Sequence, residues 1–106
     1  MKAKFNRIDS HVFNGRRYRI IWRRPRNETT CSGCGRLINK QSDGGCDPPD
    51  GHDKCIMIGP KLDEPVLLET AIHESLHALL WLVDEQAIDV TARDIASFIR
   101  RIGFHL

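Results

Sequence analysis

The sequence predicts an α+β fold: a small mixed or antiparallel sheet with a cysteine-rich loop, followed by a C-terminal pair of helices. Three observations carry this prediction. Residues 16–22 alternate after an Asn-Gly pair, residues 24–54 are rich in turn formers, and residues 64–103 repeat their apolar positions at helical spacing. The chain has 106 residues, enough for one domain (1–106) with one modest core. Its composition, 41% hydrophobic and 28% charged, is that of a globular protein and excludes disorder as the default.

Asn14-Gly15 is the strongest short hairpin signal in the chain, because a two-residue turn of the favoured hand needs positive φ at both positions. Tyr18, Ile20 and Trp22 then alternate with Arg17, Arg19 and Ile21, so one strand face is expected in the core and the arginines largely in solvent. Residues 24–54 hold Pro25, Gly33, Gly35, Gly44, Gly45, Pro48, Pro49 and Gly51 and read as a long loop insertion, which in so small a domain needs a function or a staple. Cys55-Ile56-Met57-Ile58 reads as a short strand stopped by Gly59-Pro60. A first helix starts at Asp63-Glu64-Pro65, with acids at the positive end of the dipole and Pro in the first turn. Its apolar stripe is Leu68, Ile72, Leu76, Leu79 and Val83. A second helix starts at Asp84, an acceptable N-cap, and buries Ile88, Ala92, Ile95, Ile99 and Ile102. Gly103 ends it as a C′ residue behind Arg100 and Arg101.

Net charge is only +2, but nine basic residues (Lys2, Lys4, Arg7, Arg16, Arg17, Arg19, Arg23, Arg24 and Arg26) precede residue 27, opposed there by Asp9 alone. Such asymmetry fits either a nucleic-acid contact through the N-terminal segment or a solvated strand face. Charges at the N-terminus leave no room for a signal peptide, and the apolar stretch 66–83 is broken by Glu69, His73, Glu74 and His77. The expectation is a cytoplasmic protein with no membrane contact, in which four cysteines mean metal or free thiols rather than structural disulfides.

His73-Glu74-Ser75-Leu76-His77 spells H-E-x-x-H inside the first helix. Residues four apart share a helical face, so both imidazoles can reach one metal ion. Glu74 lies one step round the helix, where a carboxylate can act as general base toward metal-activated water. The expected chemistry is zinc-dependent hydrolysis, with His73 and His77 as ligands and Glu74 as the base.

A catalytic zinc takes three protein ligands and keeps one open position. Leu80 and Val83 stand where a metzincin would have its Gly and third His, which excludes that class. Glu85-Gln86-Ala87-Ile88-Asp89 instead resembles the E-x-x-x-D of the gluzincins, which implies Glu85 as third ligand and Asp89 as a buttress of a ligand histidine. Spacing allows a different assignment. With the turn near Val83, residues 89 or 90 lie opposite His77 and Asp89 is the better-placed ligand; if the first helix ends near Leu80, Glu85 swings in. Asp94 is a further carboxylate on the same helix. Solvated acids at a helix start are the ordinary alternative for Glu85 and Asp89. Tyr18 and His105 are candidates to stabilise a transition state, but neither has positional support.

The segment Leu68–Gly103, with the Asn-Gly strand and the Cys46-Asp47-Pro48-Pro49 turn, resembles the small zincin-like metallopeptidases of phages and prophages. It is also similar to SprT-like proteases, although in this chain the cysteines precede the H-E-x-x-H helix. The resemblance implies a zincin-like helix pair over 64–103, peptidase activity on a peptide or protein substrate, one catalytic zinc, and host cytoplasm as the site of action if phage-encoded. In zincins a strand placed like Cys55–Ile58 is commonly an edge that pairs with an extended substrate.

Cys31-Ser32-Gly33-Cys34 is a zinc-knuckle-like turn, and Cys46 and Cys55 can complete a four-cysteine structural zinc site, with His52 as a substitute ligand. The alternative is packed or oxidised thiols. Two other functional readings compete with the hydrolase. One is a zinc-stapled nucleic-acid-binding module with a non-catalytic histidine site. The other is an inactive metalloprotein that binds a partner through its helix pair.

Overall fold

The computed structural model describes residues 6–24, 29–30, 37–38 and 43–104. Asn14 and Gly15 take φ of 50° and 78°, so the chain reverses tightly between β1 (Ser10–Phe13) and β2 (Arg16–Ile21). The two strands pair antiparallel with His11 opposite Tyr18. β3 (Thr29–Thr30) and β4 (Leu37–Ile38) form a separate two-stranded ribbon. The chain then adds β5 (Gly44–Cys46) and β6 (Cys55–Ile58) to the first hairpin, giving a four-stranded mixed sheet in the order β1-β2-β6-β5. β6 runs parallel to β2 and antiparallel to β5.

This order makes two corrections. The turn-rich span 24–54 is not wholly loop, because Gly44–Cys46 forms a strand. The strand at Cys55–Ile58 is interior rather than an edge; among the described residues the edge on that side of the sheet is β5.

Tyr18, Cys46, Ile56 and Ile58 project from one sheet face into a core closed by Leu62, Leu67 and Ala78, with Phe13, Ile20, Trp22 and Ala71 packed around it. The expected alternation therefore holds: Tyr18 is fully buried and its arginine neighbours are exposed. α1 (Glu64–Leu79) lies across this face, entered through Asp63 with Pro65 in the first turn. α2 (Glu85–Arg101) returns along α1 and, among the described elements, touches α1 and no strand. α1 is thus the middle layer of three.

Its position between layers explains a third correction. The aliphatic stripe expected in the core is only half-buried at Leu68, Ile72 and Leu76, and Leu79 and Val83 are exposed. The deepest positions are Leu67, Thr70, Glu74, His77 and Ala78. They recur at roughly helical spacing, with His77 and Ala78 adjacent, so they form a broad buried band that reaches from the sheet side of α1 toward α2. On α2, Ile88, Ala92 and Ala96 are the buried positions, and the small alanines bring the two helices close together. Ile95 and Ile102, expected in the stripe, are exposed, and Ile99 is half-buried.

Both ends of α2 are fastened as expected. The Asp84 side chain accepts from the Ala87 amide at 2.8 Å. Gly103, at φ 103°, follows Ile102 as the C′ residue, with its amide bonded to the Arg100 carbonyl and that of Phe104 to the Ile99 carbonyl. These two bonds make a Schellman motif. No helix among the described residues is long and apolar enough to cross a membrane.

Candidate metal centre

α1 ends at Leu79, and its last carbonyl-directed bond runs from the Leu80 amide to Leu76. Five residues, 80–84, then suffice to reach the first residue of α2. This early stop brings Glu85 level with His77, although the two are only eight residues apart. His77 Nε2 lies 2.8 Å from Glu85 Oε2, and His73 Nε2 lies 3.0 Å from Glu85 Oε1. The two Nε2 atoms are 3.2 Å from each other. Two nitrogens bound tetrahedrally at about 2.0–2.1 Å from a zinc ion are themselves roughly 3.3–3.4 Å apart, so the spacing suits that ion.

To bond Glu85, each ring must donate from its Nε2, which leaves the two donor nitrogens crowded at 3.2 Å on one carboxylate. A cation in the same space would instead meet lone pairs from both rings and the carboxylate. His73, Glu74 and His77 can hold a metal ion, with potential ligand atoms all within 4.8 Å of one another. The short contacts make Glu85 the acid that closes on the same point as the ring nitrogens.

The other carboxylates lie farther out. Asp89 Oδ1 is 3.8 Å from His73 Nδ1, on the far side of the ring from Glu85, and its other oxygen accepts from Arg93 at 2.7 Å. That distance is within ion-pair range but too long for a hydrogen bond. Asp94 is exposed and lies half a helical revolution from Glu85, away from the histidines. Asp89 is therefore placed as the outer partner of His73, and Asp94 is not part of the cluster.

Glu74 takes a different direction from the histidine pair. One residue is 100° of helix, which turns Glu74 from α2 toward the sheet. It is 5% exposed, and its Oε1 has no hydrogen-bond partner among the described residues. Burial pushes its carboxyl up to about 8; the His73 charge opposes this and Glu85 adds to it. For His73, burial lowers the pKa but is outweighed by the hydrogen bond to Glu85 and the charges of Glu74, Glu85 and Asp89, so the net shift is upward. His77 is fully buried, and its Nδ1 lacks a partner among the described residues.

Glycine 44 is a part of this site that sequence reasoning missed. A Cβ there would lie 3.0 Å from Glu74 Oε2, 2.8 Å from Thr70 Cγ2 and 2.8 Å from the Met57 carbonyl oxygen. The Gly44-Gly45 pair was visible only as a turn signal, and nothing in the sequence links position 44 to position 74.

Cys31 and Cys34 lie outside the described residues. Cys46 is opposite Ile56 in the β5–β6 ladder, so Cys46 and Cys55 project from opposite faces of the sheet. Each thiol has a local acceptor: Cys46 Sγ donates to the Asp47 carbonyl at 3.4 Å and Cys55 Sγ to Asp47 Oδ2 at 3.3 Å. Burial, aided by the Asp47 charge, pushes the Cys55 thiol up to about 11. His52, the suggested substitute ligand, is exposed. Several of the N-terminal arginines have partners: Arg19 bonds Asp53 at 2.9 Å, Arg24 bonds Asp43 at 3.2 Å, and Arg17 donates to Ser10. Tyr18 belongs to the sheet core, and His105 lies outside the described residues.

Comparison with family models, with curated proteins and with solved structures gave no match.

Proposed function

We propose that this protein is a zinc-dependent hydrolase, most simply a peptidase, with His73, His77 and Glu85 as metal ligands and Glu74 as general base. The observation that carries the reading is the meeting of both Nε2 atoms with the two oxygens of Glu85, at 2.8 and 3.0 Å. Nitrogen and oxygen donors from three side chains, with a further carboxylate beside them, are the donor set of a catalytic rather than a structural zinc. Zinc, when bound, supplies Lewis acidity that makes water a competent nucleophile at neutral pH.

The protein's own groups do the rest. Glu74 takes the proton from the attacking water and returns it to the leaving amine. Its buried setting favours that exchange near neutrality, since a base works best with a pKa close to the working pH. Asp89, held by Arg93 at 3.8 Å from the outer nitrogen of His73, would have to close by under an ångström to accept from it and so leave the Nε2 lone pair available.

A peptide substrate is favoured by the sheet. The Gly59 amide bonds the Asp43 carbonyl and the Asp47 amide bonds the Cys55 carbonyl. Residues 43, 45 and 47 therefore point their polar backbone groups at β6, and Gly44 points its own outward. No further strand flanks β5 among the described residues. An extended peptide pairing there would run past Gly44, directly beside Glu74.

Glu74→Gln is the direct test, assayed on casein and on a peptide library with zinc content measured in parallel. The variant should keep its zinc and lose hydrolysis by roughly 10²- to 10⁴-fold, the usual contribution of a general base. Unchanged cleavage would remove Glu74 from the mechanism. Absence of zinc from the wild-type protein would remove the hydrolase reading.

A further inference from the structure

We propose that Gly44 is the positioning residue for Glu74: the missing side chain lets β5 close against the carboxyl and fixes where it stands. This deepens the hydrolase reading and rests on it.

Gly44 does not have the positive φ found at Gly15 and Gly103. Its backbone is extended strand, a conformation open to any residue, so conformational freedom does not account for glycine here. Space does. A methyl at this position would come within 2.8–3.0 Å of three atoms: the Glu74 carboxylate, the Thr70 methyl and the Met57 carbonyl. Two of these belong to the buried face of α1 and the third to the neighbouring strand, so the glycine fills the corner where edge strand, central strand and helix meet.

The corner limits Glu74 in a particular way. Its Oε2 lies 3.0 Å from where a Gly44 Cβ would stand, while Oε1 is buried without a partner among the described residues. With no hydrogen bond holding Oε1, the carboxyl is located by packing, and Gly44 is the wall it packs on. The same residue directs its backbone polar groups to the sheet edge. One glycine therefore sets the depth of the base and leaves no side chain between that base and a chain lying along the edge. A larger residue would have to move the carboxylate, the strand, or both.

The test is a double-mutant cycle on the full chain, with rates expressed per zinc-loaded folded protein. Gly44→Ala should retain zinc, because His73, His77 and Glu85 are untouched, and should lower kcat on the order of 10–100-fold, the scale of misplacing a reacting group by an ångström. Glu74→Asp withdraws the carboxylate by one methylene. In the Gly44→Ala background this second change should cost much less than in the wild type, or restore activity. Thr70→Ser, which removes the methyl that the new Cβ would strike, should also recover part of the loss. Losses that simply multiply, with neither second substitution recovering activity, would show a merely structural glycine and overturn the proposal. So would an unaltered kcat in Gly44→Ala. If Gly44→Ala alone does not fold, the two double variants decide. Recovery of folding and turnover in either supports the proposal, and failure of both places the obstruction at the Met57 carbonyl and overturns it. If the wild type binds zinc but hydrolyses nothing, the hydrolase reading itself falls, an outcome distinct from the others.

Discussion

Tyr18 shows what burial costs at a single residue. Its ring is fully buried at the centre of the sheet core, yet its hydroxyl has no hydrogen-bond partner among the described residues. A buried hydroxyl without a partner opposes folding, so Tyr18→Phe should raise stability by about 1 kcal/mol, read as a shift of the urea midpoint at constant m-value. Burial also drives its phenol up to about 12 from 10.0. A raised folded-state value means the contribution to stability is intact below the unfolded value and is lost as pH climbs through the folded one. The protein should therefore hold its stability up to about pH 10 and lose it toward pH 12. Because Tyr18 is the chain's one tyrosine, phenolate absorbance reports this group alone. Ionisation with an ordinary midpoint near 10 in the folded protein would contradict the buried placement. The same residue-scale logic separates Glu85 from Asp89. Both are acids early in α2, and only the atoms they meet, Nε2 or Nδ1, distinguish the proposed ligand from an outer neighbour.

The second helix joins stability to the site through its first turn. Asp84 caps α2 through the Ala87 amide, and Glu85, the next residue, reaches both histidines. Asp84→Ala should cost about 1 kcal/mol of stability and, by fraying the turn that carries Glu85, weaken zinc binding by up to about fivefold. Gly103→Ala is the contrasting change at the other end. At φ 103° it should also cost about 1 kcal/mol but leave zinc affinity alone, as competition with a zinc-sensitive dye would show. Equal losses of affinity in both variants would mean that general helix stability, not the position of Glu85, governs the site. Much of this element scale could be read from the sequence, because its signals are local. Asn14-Gly15, Asp84 and Gly103 each act on neighbouring backbone, and each does what its chemistry dictates. H-E-x-x-H was legible for the same reason, since i and i+4 meet within one helix. The unread parts depend on contacts distant in sequence. β5 pairs with β6 from inside a turn-rich span, Gly44 meets Glu74 across thirty positions, and α1 turns its polar motif inward because it has neighbours on two sides, which no periodicity within α1 encodes.

The layering of the whole molecule would give a metal bound at the proposed site a mechanical role beside the proposed chemical one. The sheet and α1 share the Tyr18–Ile56–Leu67–Ala78 core, whereas α2 touches only α1 among the described elements. α2 buries Ile88, Ala92 and Ala96 in that contact, while Phe98, Ile102 and Phe104 stay largely exposed at 63%, 56% and 66%. Two of the three proposed ligands lie on α1 and the third on α2, so an ion bound by them would tie the outer layer to the rest. Anything that binds only the folded arrangement stabilises it by mass action, and here that stabilisation should fall unevenly. Removing the metal with a chelator should lower the melting temperature and raise amide exchange in α2 first, at Ile88 to Ala96. Amides of β2 and β6 should keep their protection until the whole chain unfolds. Hydrogen exchange followed by mass spectrometry, with and without zinc, reads the two regions separately. Uniform loss of protection on chelation would mean that the three layers unfold as one unit and that the ion is not what fastens α2. No change in either region would mean that His73, His77 and Glu85 bind no metal at the concentrations used.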